Sequence, residues 1–77
     1  MAFTYEIISH IATLKHSGEW TKEVNLISYR GDEPKIDIRS WQRDGENEKI
    51  LKGITLTYEE AFILMQSLQK FFKDEEE

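Results

Sequence analysis

The chain has 77 residues, enough for one domain, with 15 acidic and 10 basic side chains and a net charge of −5. It has no cysteine and only two histidines, His10 and His16, which excludes disulfides, thiolate zinc sites and a histidine-only metal centre. No run approaches the roughly 20 apolar residues of a membrane span, and the N-terminus lacks the charged-then-apolar pattern of a signal peptide, so a soluble intracellular protein is expected.

Residues 3–14 are rich in Ile, Phe, Tyr and Thr and predict a first strand, with a parity change at Ile7-Ile8 that marks a bulge or a strand covered on both sides. His16-Ser17-Gly18-Glu19 is a turn, and Trp20 to Arg30 a second strand. Gly31-Asp32-Glu33-Pro34 forms the next turn, where Gly permits positive φ and Pro restricts its own. Lys35 to Gln42 is a third strand. Asp44-Gly45 signals a hairpin of type I′, and Glu48 to Lys52 is a short fourth strand ended by Gly53. Such short turns make neighbouring strands antiparallel, so the four form a meander.

Thr57-Tyr58-Glu59-Glu60 fits a capping box, and residues 58–73 then follow helical spacing. Ala61, Met65, Leu68 and Phe72 lie on one stripe, widened by Leu64 and Phe71, while Phe62 and Ile63 carry apolar surface further round. That is more than one sheet face requires. Either the sheet curls around the helix, or a second helix covers it. The second reading is preferred and makes the chain a homodimer, with Phe62, Met65, Leu68 and Phe72 at the interface. Asp74 to Glu77 is an acidic tail at the unfavourable end of the helix dipole and is expected to fray. Residues 1–73 thus form the single domain and 74–77 its tail.

The third strand alternates strictly. Ile36 and Ile38 take one face, for a core; Lys35, Asp37, Arg39 and Trp41 take the other, expected to be open. The charge distribution permits an anionic ligand: residues 20–56 hold seven cations and seven acids, and most of the excess acidity sits in residues 57–77. Salt screens charges beyond about 8 Å, so a local basic stripe survives in an acidic protein. Catalytic arrangements are not evident. Ser9 and His10 are strand neighbours that face opposite sides, and no glycine-rich phosphate loop exists. No cofactor is expected, and an enzyme is not.

Aromatics interleaved with cations suit single-stranded nucleic acid, which offers bases to stack and phosphates to pair. Such aromatics are also common core residues, and strand lysines commonly face plain solvent. Trp20, opening its strand, is favoured for the core, with a place in the site left open. Trp41 is assigned to the open face with Arg39 and Lys35, and Tyr29 stands between the two readings.

Trp20-Thr21-Lys22-Glu23-Val24-Asn25-Leu26-Ile27-Ser28-Tyr29, then Pro34 to Trp41, then Lys52-Gly53-Ile54-Thr55-Leu56, closely resemble the bacterial YdbC-type branch of the positive cofactor 4 (transcriptional coactivator p15) family. The resemblance spans residues 20–72. It implies an α+β fold in which a curved four-stranded antiparallel meander precedes one C-terminal helix, and a homodimer through that helix. It also implies largely sequence-independent binding of single-stranded DNA, in transcription regulation or DNA maintenance, by a cytoplasmic bacterial protein with nucleoid association left open. Carried over by position, Arg39 matches the Arg after Asp-Ile and Lys52 the Lys before Gly-Ile. Trp41 and Tyr29 fall near the family's strand aromatics, and Lys22, Lys35 and Lys49 lie at basic positions. One aromatic rather than two follows Arg39 here, Ile27 stands at an often basic position, and the Ser-rich basic N-terminal region of eukaryotic members is absent. The rival readings are a protein-interaction module docking on transcription machinery and a binder of single-stranded RNA.

Overall fold

Three turns divide residues 5–56 into four strands. The computed structural model describes residues 4–75. Its elements are β1 (Tyr5–Ser17), β2 (Trp20–Tyr29), β3 (Lys35–Asp44), β4 (Asn47–Leu56) and α1 (Tyr58–Glu75). The sheet order is β1-β2-β3-β4 and every neighbouring pair is antiparallel, the expected meander. Phe3, the expected start of the first strand, lies outside the described residues.

The pairs Ser17↔Trp20 and Asp44↔Asn47 close two-residue loops, Gly18-Glu19 and Gly45-Glu46. Each loop has φ 59° at its glycine, and among the described non-glycine residues positive φ occurs at Arg30. Positive φ at the first central position alone is the II′ pattern, so the Asp44-Gly45 hairpin is not the expected I′ turn.

β4 does not stop at Gly53 but continues to Leu56. Gly53 is opposite Arg39, beside a bulge that shifts the β3–β4 register between Arg39 and Trp41. A Cβ at Gly53 would overlap the Arg39 Cβ and the Ile38 carbonyl oxygen, and would lie 2.6 Å from the Arg39 Cα. The glycine therefore permits close backbone approach within a strand rather than ending one.

β1 carries three register shifts against β2, one at the expected Ile7–Ser9 position. Bulges bend strands and increase twist. The sheet accordingly curls, and the direction of the curl decides the core. In a flat sheet the first and fourth strands stand roughly 14 Å apart, yet the Tyr5 hydroxyl on β1 donates to Glu48 Oε2 on β4. Beneath this bridge Trp41 and Ile27 are fully buried, with Asn25 and Asp37. The closed face is thus the one carrying Asp37 and Trp41.

Ile36 and Ile38, expected to point into the core, face α1 instead. With Ile11, Val24, Leu56 and the helix residues Leu64 and Met65 they line a groove of about 1020 Å³. The capping box forms as expected. The Thr57 amide donates to Glu60 Oε1 (2.9 Å), and the Glu60 amide donates to Thr57 Oγ1 (3.1 Å). The helix continues through Asp74 and Glu75, where fraying was expected. Both side chains are exposed, so hydration and screening reduce the dipole penalty, worth about 0.3–1 kcal/mol per charge, to one that helix formation tolerates. Glu76 and Glu77 lie outside the described residues.

Candidate nucleic-acid interface

Strand parity places Asp37, Arg39 and Trp41 on one face, as expected, and Tyr29 of β2 joins them there, but that face is closed. Trp41 is 0% exposed. Its ring meets Tyr5 edge-on at 5.6 Å and lies under the Arg43 guanidinium at 4.8 Å. Among the described residues its indole N–H has no acceptor, costing about 1–3 kcal/mol against the ring contacts around it. The expectation of an open stacking plate at Trp41 is therefore corrected: alternation identified its face, and the curl buried it.

Asp37 organises this face. It accepts from Arg39 Nε (2.6 Å) and Nη2 (2.7 Å), from the Tyr29 hydroxyl (2.8 Å) and from Thr55 Oγ1 (3.0 Å). Arg39 Nη1 donates to the Leu51 carbonyl (2.9 Å), so the guanidinium ties β3 to the bulged part of β4. The hydrogen bonds from Arg39 to Asp37 raise the Arg39 pKa further, and burial followed by the bond to Asp37 pushes the Tyr29 hydroxyl up to about 12. Arg39 and Tyr29 are thus drawn into the scaffold, while Lys35 is exposed at the start of β3.

A second network crosses the same face. Glu23 is 5% exposed and receives Arg43, Thr21 and Asn25. Burial alone would raise its carboxyl, but the hydrogen bonds from Arg43, then Thr21 and Asn25, outweigh it and hold the pKa at about 2. His10, a half-exposed strand residue, meets Asn25 Oδ1 (2.7 Å) and Thr13 Oγ1 (3.0 Å).

The remaining expected cations lie on the opposite face, which also carries α1. Lys22 alternates with Trp20 and Val24 along β2, and Val24 lines the helix groove. Lys49 pairs with Gln42, which pairs with Trp20. Lys52 shares a shallow concavity of about 410 Å³ with Lys22, Ser40 and Ile38. Lys22, Lys49 and Lys52 are exposed and, among the described residues, make no ion pair. By strand parity the expected site is therefore split, with Tyr29, Lys35, Arg39 and Trp41 on one face and Lys22, Lys49 and Lys52 on the other, although Arg39 also lines the concavity of Lys22 and Lys52.

Trp20, favoured for the core from its place at a strand start, is 50% exposed on the lysine face. Its shared parity with Lys22 was the signal that could have placed it there. On the helix, Met65, Leu68 and Phe72 face the groove, while Phe62 lies outside its lining. No residue of α1 is buried, and Met65, Leu68 and Phe72 are exposed like Phe62.

Among the described residues no helix is long and apolar enough to cross a membrane, and no cluster of three metal-ligating side chains occurs. Comparison with known proteins finds a relative in Treponema pallidum (strain Nichols), described as an uncharacterized protein. It is 38% identical over 73 residues, which cover 94% of this chain and 84% of the relative. Residues 17–67 match the family described as Transcriptional Coactivator p15 (PC4). That span takes in β2, β3, β4, the Asp37 network, Glu23 with Arg43, Thr21 and Asn25, the lysines opposite and the first half of the helix, but not His10 or Thr13. The chain belongs to the transcriptional coactivator p15 (PC4) family.

Proposed function

We propose that this protein is a non-catalytic, largely sequence-independent binder of single-stranded DNA acting in transcription regulation or DNA maintenance. The observation that carries the proposal is the set of exposed lysines, Lys22, Lys49 and Lys52, without an ion pair among the described residues, on one sheet face of a chain in this family. Lysines without carboxylate partners release counterions when they meet phosphates, which supplies affinity without reading sequence. Arg39 serves indirectly: through the Leu51 carbonyl it holds the strand segment that presents Lys52. Lys35 contributes at the sheet margin.

The family membership and the exposed apolar helix support a homodimer through α1. Phe62, Met65, Leu68 and Phe72 are each at least 44% exposed in the protomer. A second helix would remove this surface from water, at roughly 25 cal/mol per Å² buried. Sedimentation at micromolar concentration should give a dimer mass, and Met65→Glu should give a monomer or an unfolded chain. A monomer mass for the unmodified protein would remove the dimer.

The test of function is a polarization titration with labelled oligo-dT, run beside oligo-U and duplex DNA. Oligo-dT should bind more tightly than duplex, and log affinity should fall against log salt by about 0.7 per phosphate contact. Equal binding to duplex, or no salt dependence, would defeat the proposal. Tighter binding of oligo-U would shift the ligand to RNA.

A further inference from the structure

The structure holds one exposed indole on the lysine face, and the register around it describes a subsite. Trp20 pairs with Ser17 across the Gly18-Glu19 turn and with Gln42 on β3, which in turn pairs with Lys49. On the next rung Lys15 is directly opposite Lys22, and Lys22 is opposite Ser40. Lys15, Trp20, Lys22 and Ser40, with Ser17 and Thr21, line a concavity of about 270 Å³. Lys22 and Ser40 also line the concavity that contains Lys52, so the two adjoin.

We propose that Trp20 is a stacking platform for one unpaired base, and that the Lys15–Lys22 pair holds the phosphate next to that base. This rests on the single-strand-binding reading above. Two physical points carry it. The chain has two tryptophans, and the other, Trp41, is fully buried, so Trp20 is the indole with a π-face available to a ligand. Like charges directly opposite on neighbouring strands are destabilising. Among the described residues neither Lys15 nor Lys22 has a carboxylate in ion-pair range to relieve them. A phosphate between the two ammonium groups would relieve that repulsion, beside a ring suited to the base.

The experiment compares the parent protein with Trp20→Ala, Trp20→Phe and Lys15→Ala, using oligo-dT polarization together with tryptophan emission. Oligo-dT should quench part of the parent emission, and the residual Trp41 emission of Trp20→Ala should not respond. Trp20→Ala should bind about 5- to 150-fold more weakly, the range of one lost stack, with an unchanged salt slope. Trp20→Phe should restore most of that loss. Lys15→Ala should weaken binding and shallow the slope by about 0.7, while melting no lower than the parent because it removes a like-charge pair. If the parent binds but Trp20→Ala binds equally well, the subsite is wrong and the broader reading stands. If the parent fails to bind oligo-dT, both fall. Should Trp20→Ala not fold, an unaltered affinity and slope in Lys15→Ala would overturn the subsite by itself.

Discussion

Replacing Asp37 by Asn tests whether the closed face is held by charge as well as by rings. Asp37 is 0% exposed and accepts four hydrogen bonds, two of them from Arg39, whose side chain is 15% exposed. An amide keeps one oxygen and turns the other acceptor into a donor that faces donors. With its oxygen kept at the Oδ2 position, where three of the four bonds converge, the variant loses the bond from Arg39 Nε, sets an amide donor against that guanidinium, and leaves it largely buried without its counter-ion. Breaking one side of a buried pair costs about 3–5 kcal/mol. Because Arg39 retains some access to water, about 3 kcal/mol is expected, much of the stability of so small a domain. Urea denaturation at fixed protein concentration, followed by Trp41 emission, measures it. The double variant Asp37→Leu with Arg39→Met removes both charges and should recover at least half the loss of Asp37→Leu alone, giving a coupling of about 2 kcal/mol. A loss below about 1 kcal/mol in Asp37→Asn, or additive single losses, would refute the claim that this pair locks β3 to β4.

Gly53→Ala should cost about 2–4 kcal/mol in the same assay, because its Cβ would overlap Arg39 and the Ile38 carbonyl and force β3 and β4 apart. A change within about 0.5 kcal/mol, the range of neutral surface positions, would show that the strands part freely. Glu23 predicts acid sensitivity: its folded pKa of about 2 lies below the ordinary 4.5, so its contribution is complete above about pH 4.5 and is lost as pH falls toward 2. Arg43 is partly exposed, which discounts the full shift to about 2 kcal/mol. Denaturation between pH 7 and pH 3 should show a decline that Glu23→Gln reduces. Glu48 adds in the same direction, since the Tyr5 hydroxyl and Arg43 hold its carboxyl low. An equally steep decline in Glu23→Gln would assign the acid response elsewhere.

Local chemistry made most of the elements legible. The turns at Gly18 and Gly45, the alternation of Lys35 to Trp41 and the Thr57–Glu60 capping box each depend on residues within a few positions of one another. Several element ends were misplaced, β1 running through His16 and Ser17, β3 through Asp44 and α1 through Glu75; the end of β4 at Gly53 was misplaced because a glycine reads alike whether it ends a strand or admits a neighbouring backbone. Only the position of Arg39 across the sheet distinguishes the two.

Alternation also determined that Arg39 and Trp41 share a face with Asp37, and that Lys22 shares one with Trp20. It carried no information about which face closes. Closure follows from bulges spread along β1 and at the β3–β4 bulge, and from partners far apart in the chain: Tyr5 with Glu48, Glu23 with Arg43, Tyr29 with Asp37. A curled sheet buries its concave side whatever the polarity of the strand residues there, provided each charge finds a partner. The polar face therefore became the core, and the Ile36–Ile38 face was left beside an exposed helix. The same curl exchanged the two tryptophans, taking Trp41 out of reach of any ligand and leaving Trp20 among the lysines.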